Sequence, residues 1–251
     1  MLLDAGDAWY GAGVSGRAVV HSVFARAAYL RVGDDLLALC GPDVASGPLH
    51  LRVDDLPVLS RGAAARLRPG GLSVGDREWR WGPRQRWRPP PVDPAGLRHC
   101  GALAARTLDG WTAPARVGLD TDVIAAAAAA LGAGDRAGLA RSLSGRGPGL
   151  TPAGDDVLAG VVVVEALRGD VGRPPAPVLA AARTTDVAVA FLRWAARGRC
   201  IEPVHRLLAA LSAGRAQDAA SARRALLGVG ASSGAALALG LRLALTAVIE
   251  A

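Results

Sequence analysis

A glycine-rich segment that ends in two acidic residues is the part of the sequence best suited to chemistry. It spans residues 145–156, reads GRGPGLTPAGDD, and is followed directly by the apolar stretch VLAGVVVV. Glycines carry no side chain and tolerate positive φ, so backbone N–H groups can approach a ligand closely. A helix that begins after the loop adds its own unpaired N–H groups, which favour phosphate or carboxylate. The pattern predicts an anion-binding loop at the start of a buried helix.

Residues of this loop fall into a catalytic and a binding group. Two interpretations of Asp155 and Asp156 stay open: they cap the helix, or they act directly as a general base, as ligands of Mg²⁺ or by holding an ammonium or amide group. Arg146 would add a bidentate contact to the anion. We therefore predict Asp155 and Asp156 as catalytic residues, with no set of metal ligands assigned. The predicted ligand-binding residues of the loop are Arg146, Gly147, Gly149, Thr151 and Gly154.

A second loop of small residues, GVGASSG at 228–234, precedes the last predicted helix. If the two helices pack side by side, Ser232, Ser233 and Gly234 would bind the same ligand. The alternative is an ordinary serine cap with tight glycine packing. Thr184, Thr185 and Glu202 are further candidates for the same pocket, although a threonine pair inside a helix and a glutamate at a helix start also have structural explanations.

Several well-known site motifs are missing from the sequence. The loop has no Gly-Lys-Ser/Thr as in a P-loop, and no strand precedes it as in a dinucleotide-binding fold. No histidine pair has metal-ligand spacing, and no GxSxG motif occurs. Cys40, Cys100 and Cys200 are odd in number and widely spaced, which argues against a disulfide framework. With no signal peptide and no apolar run long enough to span a bilayer, we expect a cytoplasmic protein without a membrane partner.

The basic charge of the chain is spread along its length. The formal net charge is +7, and all 29 basic residues are arginines. Only residues 77–88, REWRWGPRQRWR, concentrate arginine, and there it alternates with three tryptophans. This segment is either a nucleic-acid surface or, as we favour, a β-hairpin or loop with arginine stacked on tryptophan. We expect no nucleic-acid partner, and the arginine excess also suits a small acidic substrate.

The order of predicted elements indicates an α+β fold. Short β-type runs at 17–24, 27–32, 35–40, 48–53 and 77–81 alternate with turns, as in a small sandwich or barrel. The proline cluster at 88–96 then predicts an extended linker. Helical periodicity follows, with helices predicted at 96–108, 121–131, 135–143, 155–167, 177–197, 202–212 and 217–227 and from residue 232 or 233 onward. We predict a β-rich domain at 1–90 and an all-helical domain at 91–251 that carries the glycine-loop site.

The block GRGPGLTPAGDDVLAG resembles the signature of a bacterial family typified by AllH, a subunit of oxamate carbamoyltransferase in anaerobic allantoin breakdown. Three downstream features follow in the family's order: Thr184-Thr185, the segment FLRWAARGRCIEPVHRLLAAL at 191–211, and GVGASSGAALALGL at 228–241. The resemblance covers roughly residues 95–245. By this resemblance the signature positions are Gly147, Gly149, Thr151, Gly154, Asp155 and Asp156, and the second motif is Ser232, Ser233 and Gly234.

The resemblance implies transfer of a carbamoyl group between phosphate and an amide nitrogen. The implied ligands are carbamoyl phosphate, oxamate or oxalurate, and the implied partners are two other subunits of the transferase. By this resemblance the chain departs from some members of the family, which carry His at the position of Ala231 and Asp near that of Ala236. These departures put the activity or the substrate in question if the missing side chains do chemistry.

Four functions remain in competition at this point. The first is an enzyme or enzyme subunit of carbamoyl transfer that binds a small anion at the glycine loop. The second is a non-catalytic assembly subunit whose loop packs against a partner chain. The third is a nucleotide- or CoA-binding protein that uses the same loop, and the fourth is a nucleic-acid binder through residues 77–88. No cofactor is required by the sequence, although the paired aspartates are candidates to bind Mg²⁺.

Overall fold

The computed structural model describes residues 1–11, 15–169 and 176–247, and the chain forms two compact units, Met1–Pro89 and Pro90–Ala251. The first unit holds all the strands of the described residues, and the second is helical. The predicted α+β class, with a β-rich N-terminal part and a helical C-terminal part, is therefore confirmed.

Eight strands form one sheet in the described part of the first unit. They are β1 (Leu2–Ala5), β2 (Gly16–Val23), β3 (Ala27–Val32), β4 (Asp35–Cys40), β5 (His50–Val53), β6 (Ala64–Arg68), β7 (Gly71–Val74) and β8 (Arg77–Arg80). Their order in the sheet is β1-β5-β4-β3-β2-β6-β7-β8, and every neighbouring pair is antiparallel except β4 and β5. The five predicted runs correspond to β2, β3, β4, β5 and β8.

The sheet curves until its two edges nearly meet. Residue Ala5 on β1 forms an isolated bridge with Arg86, which follows β8, and the N–H of Trp87 donates to the carbonyl of Ala5 at 2.9 Å. Along each strand, side chains alternate between the inside and the outside of this barrel-like sheet. On β6, for example, Leu67 is buried while Arg66 is exposed.

The arginine- and tryptophan-rich segment forms the β7–β8 hairpin and the turn after it, as favoured. The three tryptophans of the segment, Trp79, Trp81 and Trp87, are buried in the first unit. Trp81 packs edge-on against Trp9, with ring centroids 5.5 Å apart. The cation–π contact of this segment is made by Arg86 over the ring of Tyr10.

Eleven helices are described in the second unit. They are α1 (Pro94–His99), α2 (Gly101–Leu108), α3 (Pro114–Val117), α4 (Thr121–Gly132), α5 (Arg136–Leu143), α6 (Ala153–Arg168), α7 (Ala176–Ala181), α8 (Asp186–Ala195), α9 (Glu202–Ser212), α10 (Ala216–Leu227) and α11 (Ser233–Thr246). None of the helices in the described ranges is both long and apolar enough to cross a membrane.

One predicted helix is wrong in a way that matters for the site. The single helix expected over residues 177–197 is two helices, α7 and α8, separated by a short connection. Thr185 ends this connection as the N-cap of α8, and its hydroxyl accepts a hydrogen bond from the N–H of Ala188 at 3.1 Å. Threonine competes with the backbone in this way, so the pair starts a helix instead of lying inside one.

Helices α6 and α11 pack closely at the centre of the helical unit. A Cβ atom on Gly160 would lie 2.5 Å from the carbonyl oxygen of Leu237, and one on Gly240 would lie 2.1 Å from that of Val157. The contact therefore requires glycine on both helices. Helix α6 is buried along most of its length, as expected of a helix that is apolar on all faces.

The same two helices run parallel, so their N-termini lie at one end of the pair. The side chains of Asp156 and Ser233 interact at the start of both helices, and Gly160 faces Gly240 near their middles. At the far end, the buried guanidinium of Arg168 donates to the carbonyl of Ala244 at 2.8 Å. The side-by-side packing on which the shared-site prediction depended is thus present.

Candidate functional site

The glycine loop connects α5 to α6 through two glycines that other residues would not easily replace. Gly147 has φ +106° and Gly149 has φ +91°, both in the region that favours glycine. A Cβ atom on Gly147 would also lie 2.9 Å from the backbone nitrogen of Ala153. The loop therefore closes on itself, and the start of α6 lies against its first half.

The backbone amides of the loop divide into two groups. Five donate within the protein: Gly145 to the Asp155 carboxylate, Arg146 to Leu143, Gly154 to Arg146, and both Asp155 and Asp156 to Pro152. The first-turn amides of α6 from Gly154 onward are thus occupied, contrary to the expectation that they face a ligand. For the amides of Gly147, Gly149, Leu150, Thr151 and Ala153, no acceptor is found among the described residues. Among the loop amides, those available to a ligand are therefore in the stretch 147–153.

Asp155 lies on the first turn of α6 and is only 2% exposed. Its Oδ2 accepts hydrogen bonds from the N–H of Gly145 at 3.1 Å and from the hydroxyl of Thr184 at 2.6 Å. Its Oδ1 is buried and has no hydrogen-bond partner. Burial raises the pKa of Asp155, and the bonds from Thr184 and Gly145 oppose that rise. The N-cap of α6 is Pro152, so neither aspartate takes the capping position that one interpretation gave it.

Asp156 is the more strongly perturbed of the two carboxyl groups. Burial raises its pKa from 3.8 to about 8, while a hydrogen bond from Ser233 lowers it and the charge of Asp155 raises it further. Its Oδ2 is buried and has no hydrogen-bond partner. Since a carboxyl group with this pKa is mostly protonated at neutral pH, Asp156 does not repel an anion as an ionised aspartate would.

The connection between α7 and α8 is fastened to the glycine loop by three side-chain hydrogen bonds. The hydroxyl of Ser144 accepts from the N–H of Arg183 at 3.1 Å. The hydroxyl of Thr184 donates to Asp155, and that of Thr185 donates to the carbonyl of Leu150 at 2.5 Å. Both threonines predicted to belong to the site therefore touch it, and they do so by orienting the loop and one carboxylate.

The other predicted residues lie in different surroundings. Among the described contacts, Glu202 bonds to Arg206 at 2.6 Å and none joins it to either aspartate. Ser232 is the N-cap of α11 but makes no side-chain capping bond. A Cβ atom on Gly234 would lie 2.0 Å from the carbonyl of Leu226, so close backbone packing explains this glycine. Arg146 is exposed beside the loop, and Thr151 is half-buried within it.

Two residues that bond to this site, and one close to it, were not among the predicted ones. Ser144 and Gly145 hold the start of the loop, and the thiol of Cys200 lies close enough to Asp156 for the carboxylate to act on its pKa. Burial is the main cause that raises the pKa of Cys200 to about 12, so the thiol stays protonated. Gly145 is the first residue of the predicted loop and Ser144 precedes it, so both were within reach of sequence reasoning. Nothing in the sequence around Cys200 indicated its position.

The loop and the first turn of α6 thus contain both donors and acceptors without partners among the described residues. Amide N–H groups of residues 147–153 lack acceptors, and Oδ1 of Asp155 and Oδ2 of Asp156 lack donors. Buried polar groups without partners are uncommon in proteins and call for an explanation at each position. No cluster of three or more His, Cys, Asp or Glu side chains able to hold a metal ion occurs in the described ranges. The candidate site therefore contains unpartnered polar atoms of both kinds, donors in the loop and acceptors on α6.

Comparison with protein families identifies what the segment that carries this site resembles. Residues 143–245 match the family model described as oxamate carbamoyltransferase subunit AllH. This segment is AllH-like. The resemblance seen in the sequence is therefore confirmed, although the match begins at residue 143 and not near residue 95. Comparisons with curated proteins and with solved structures give no match.

The AllH-like segment contains every residue predicted to bind or act on the ligand. It also contains Ala231 and Ala236, the two positions at which the sequence resemblance leads us to expect departures from the family pattern. Ala236 is fully buried in the first turn of α11, three residues after Ser233, whereas Ala231 is exposed in the loop before that helix. The Ala236 departure therefore lies in the same helical turn as the serine that contacts Asp156.

Proposed function

We propose that the AllH-like unit binds a small carbamoyl compound at the glycine loop and serves as a subunit of a carbamoyltransferase-type enzyme. The observation that supports the proposal is that N–H donors at residues 147–153 have no acceptor among the described residues, while nearby in sequence one oxygen each of Asp155 and Asp156 is buried without a partner. Carbamoyl phosphate, oxamate and oxalurate each present anionic oxygens together with an amide –NH₂ group. Such a ligand would satisfy both groups of atoms at once.

In this proposal the residues have separate roles. Amides of residues 147–153 and the exposed Arg146 bind the anionic oxygens. The aspartate oxygens accept from the ligand's –NH₂, and Thr184 holds Asp155 in position. During transfer, the C–N bond to the amide nitrogen of oxamate forms and the C–O bond to phosphate breaks. The proton lost by that nitrogen ends on the departing phosphate, with Asp155 or Asp156 as the group that carries it.

A thermal-shift titration of the full chain tests this function. At about 100 times its Kd a ligand adds about 2.7 kcal/mol, which corresponds to a rise of about 5 °C in melting temperature. We expect the rise with carbamoyl phosphate, oxamate or oxalurate and a smaller one with phosphate or oxalate, which lack –NH₂. Asp156→Ala should abolish the difference, whereas Asp122→Ala, at an exposed position on α4, should keep it.

If none of these compounds shifts the melting temperature, the proposal is wrong. The assembly-subunit function would then be favoured. Gly145, Thr184 and Thr185 donate hydrogen bonds to acceptors within the protein, so the loop is held in place without a ligand. The result expected for an assembly subunit is that variants of the loop fail to co-purify with partner chains. Binding of ATP or CoA by calorimetry, without a response to carbamoyl compounds, would favour the nucleotide-binding alternative.

A further inference from the structure

The outer face of the β-rich unit carries arginines in direct cross-strand register. Arg17 on β2 is paired with Arg66 on β6, which is in turn paired with Ser73 on β7. The next cross-strand pair on the same face, two residues along each strand, is Val19 on β2 with Ala64 on β6. Directly opposed side chains on one face of an antiparallel pair lie close together, and like charges in that arrangement destabilise the sheet. The sheet therefore contains two like charges directly opposite each other, and the packing of the fold does not require this pair.

No acidic side chain of the described residues neutralises these arginines. Glu78, which continues the row on β8, bonds to Arg80 at 3.1 Å. No carboxylate in the described part of the chain lies within ion-pair distance of Arg17, Arg66 or Arg68. The three guanidinium groups are exposed, so they form a local excess of positive charge on this face.

The arginine pair borders a shallow depression of about 370 Å³, which we call the β2–β6 depression. It is lined by Arg17, Ala18, Val19, Ala64, Ala65, Arg66, Ser73 and Gly75. Val19 is 47% exposed there, and Ala64 beside it is also exposed. The depression therefore combines an apolar part with cations at its border, and no aromatic side chain lines it.

We propose that the β2–β6 depression docks an acidic segment of a partner protein. An apolar side chain of the partner would cover Val19 and Ala64, while flanking carboxylates would pair with Arg17 and Arg66. Protein interfaces combine an apolar centre with a charged rim in this way. Nucleic-acid sites are more polar and, for single strands, rely on aromatic side chains for base stacking. The exposed apolar part and the lack of aromatic lining favour a protein partner.

Fluorescence polarisation with the full chain tests the proposal, using a labelled peptide of alternating Glu and Val. The Arg17→Glu/Arg66→Glu variant should bind the peptide at least about tenfold more weakly than the wild type. The matched control is Arg106→Glu/Arg193→Glu, which makes the same change in net charge at exposed positions on α2 and α8. It should change the affinity by less than about twofold, because neither residue lines the depression and the effect of net charge alone is screened by salt.

Three results would overturn the proposal. One is the absence of peptide binding by the wild type. Another is an equal loss in the two double variants, which would show that only net charge matters. The third is tighter binding of an oligothymidylate of the same charge, which would indicate a nucleic-acid surface instead. The melting temperature of each variant shows that the sheet is intact, and Arg17→Gln/Arg66→Gln, which adds no acid, should lose affinity in the same direction. None of these results depends on the carbamoyl site.

Discussion

At the scale of single residues, the candidate site is defined by two neighbouring carboxyl groups with different partners. Asp155 is held by Gly145 and Thr184, whereas Asp156 faces Ser233 and Cys200. Each retains one buried oxygen without a hydrogen bond. These two oxygens raise the free energy of the folded state unless a proton or a ligand forms a bond with them.

The raised pKa of Asp156 makes the stability of the protein depend on pH. Because the folded chain holds this proton more tightly than the unfolded chain, the free energy of unfolding should fall as pH rises from about 4 to about 8 and then level off. Asp156→Asn, which cannot ionise, should lose this part of the dependence. Urea denaturation at about pH 5 and about pH 9 measures it. Asp122→Asn should behave like the wild type, and identical pH profiles for all three proteins would contradict the assignment.

The hydroxyl of Thr184 supports Asp155 and should contribute measurably to stability. Thr184→Val removes the donor at 2.6 Å and leaves Oδ2 with one partner instead of two. We expect the free energy of unfolding to fall by about 1–2 kcal/mol. Thr184→Ser keeps the hydroxyl and should lose less than half as much. If both variants lose the same amount, packing of the methyl group and not the hydrogen bond is responsible.

At the scale of elements, the start of α6 was predictable from the sequence. The connection between α7 and α8, which holds the glycine loop in place, was not. The glycines and the apolar run after residue 156 placed the start of α6 within two residues. The break between α7 and α8 was missed, because the apolar periodicity continues across Thr184 and Thr185 while their hydroxyls bond to other segments. Tertiary hydrogen bonds of this kind leave no local pattern in a sequence.

The same reasoning explains which strands were missed. Strands β1, β6 and β7 were not predicted, and β6 has the sequence AARLR. Alanine and arginine are not typical strand residues, so its propensity is weak. It becomes a strand because its ladders to β2 and β7 and the burial of Ala65 and Leu67 stabilise the extended backbone.

The close packing of α6 on α11 should be sensitive to one added methyl group. Gly160→Ala would place a Cβ atom 2.5 Å from the carbonyl of Leu237, so we expect a loss of about 1–3 kcal/mol in stability. Gly132→Ala is the matched control, since a Cβ atom there meets nothing within 4 Å at the end of α4. That change should be neutral or stabilising by up to about 1 kcal/mol. Urea denaturation that shows equal effects would contradict the packing described.

At the scale of the whole molecule, the chain consists of two units with separate interiors. The helical unit, Pro90–Ala251, has a continuous apolar core of its own that includes Leu97, Val161 and Leu208. A domain with its own core is expected to fold alone. A fragment of residues 90–251 should therefore give a helical circular dichroism spectrum and one cooperative urea transition. A fragment that shows no cooperative transition would contradict this organisation.

The most direct test of the central claim is a crystal structure of the full chain grown with carbamoyl phosphate or oxamate. We expect density at the glycine loop in which ligand oxygens accept hydrogen bonds from amides between Gly147 and Ala153. The ligand's –NH₂ should lie within hydrogen-bond distance of Oδ1 of Asp155 or Oδ2 of Asp156. Density for the ligand elsewhere, or a loop that stays empty at saturating ligand, would contradict the account.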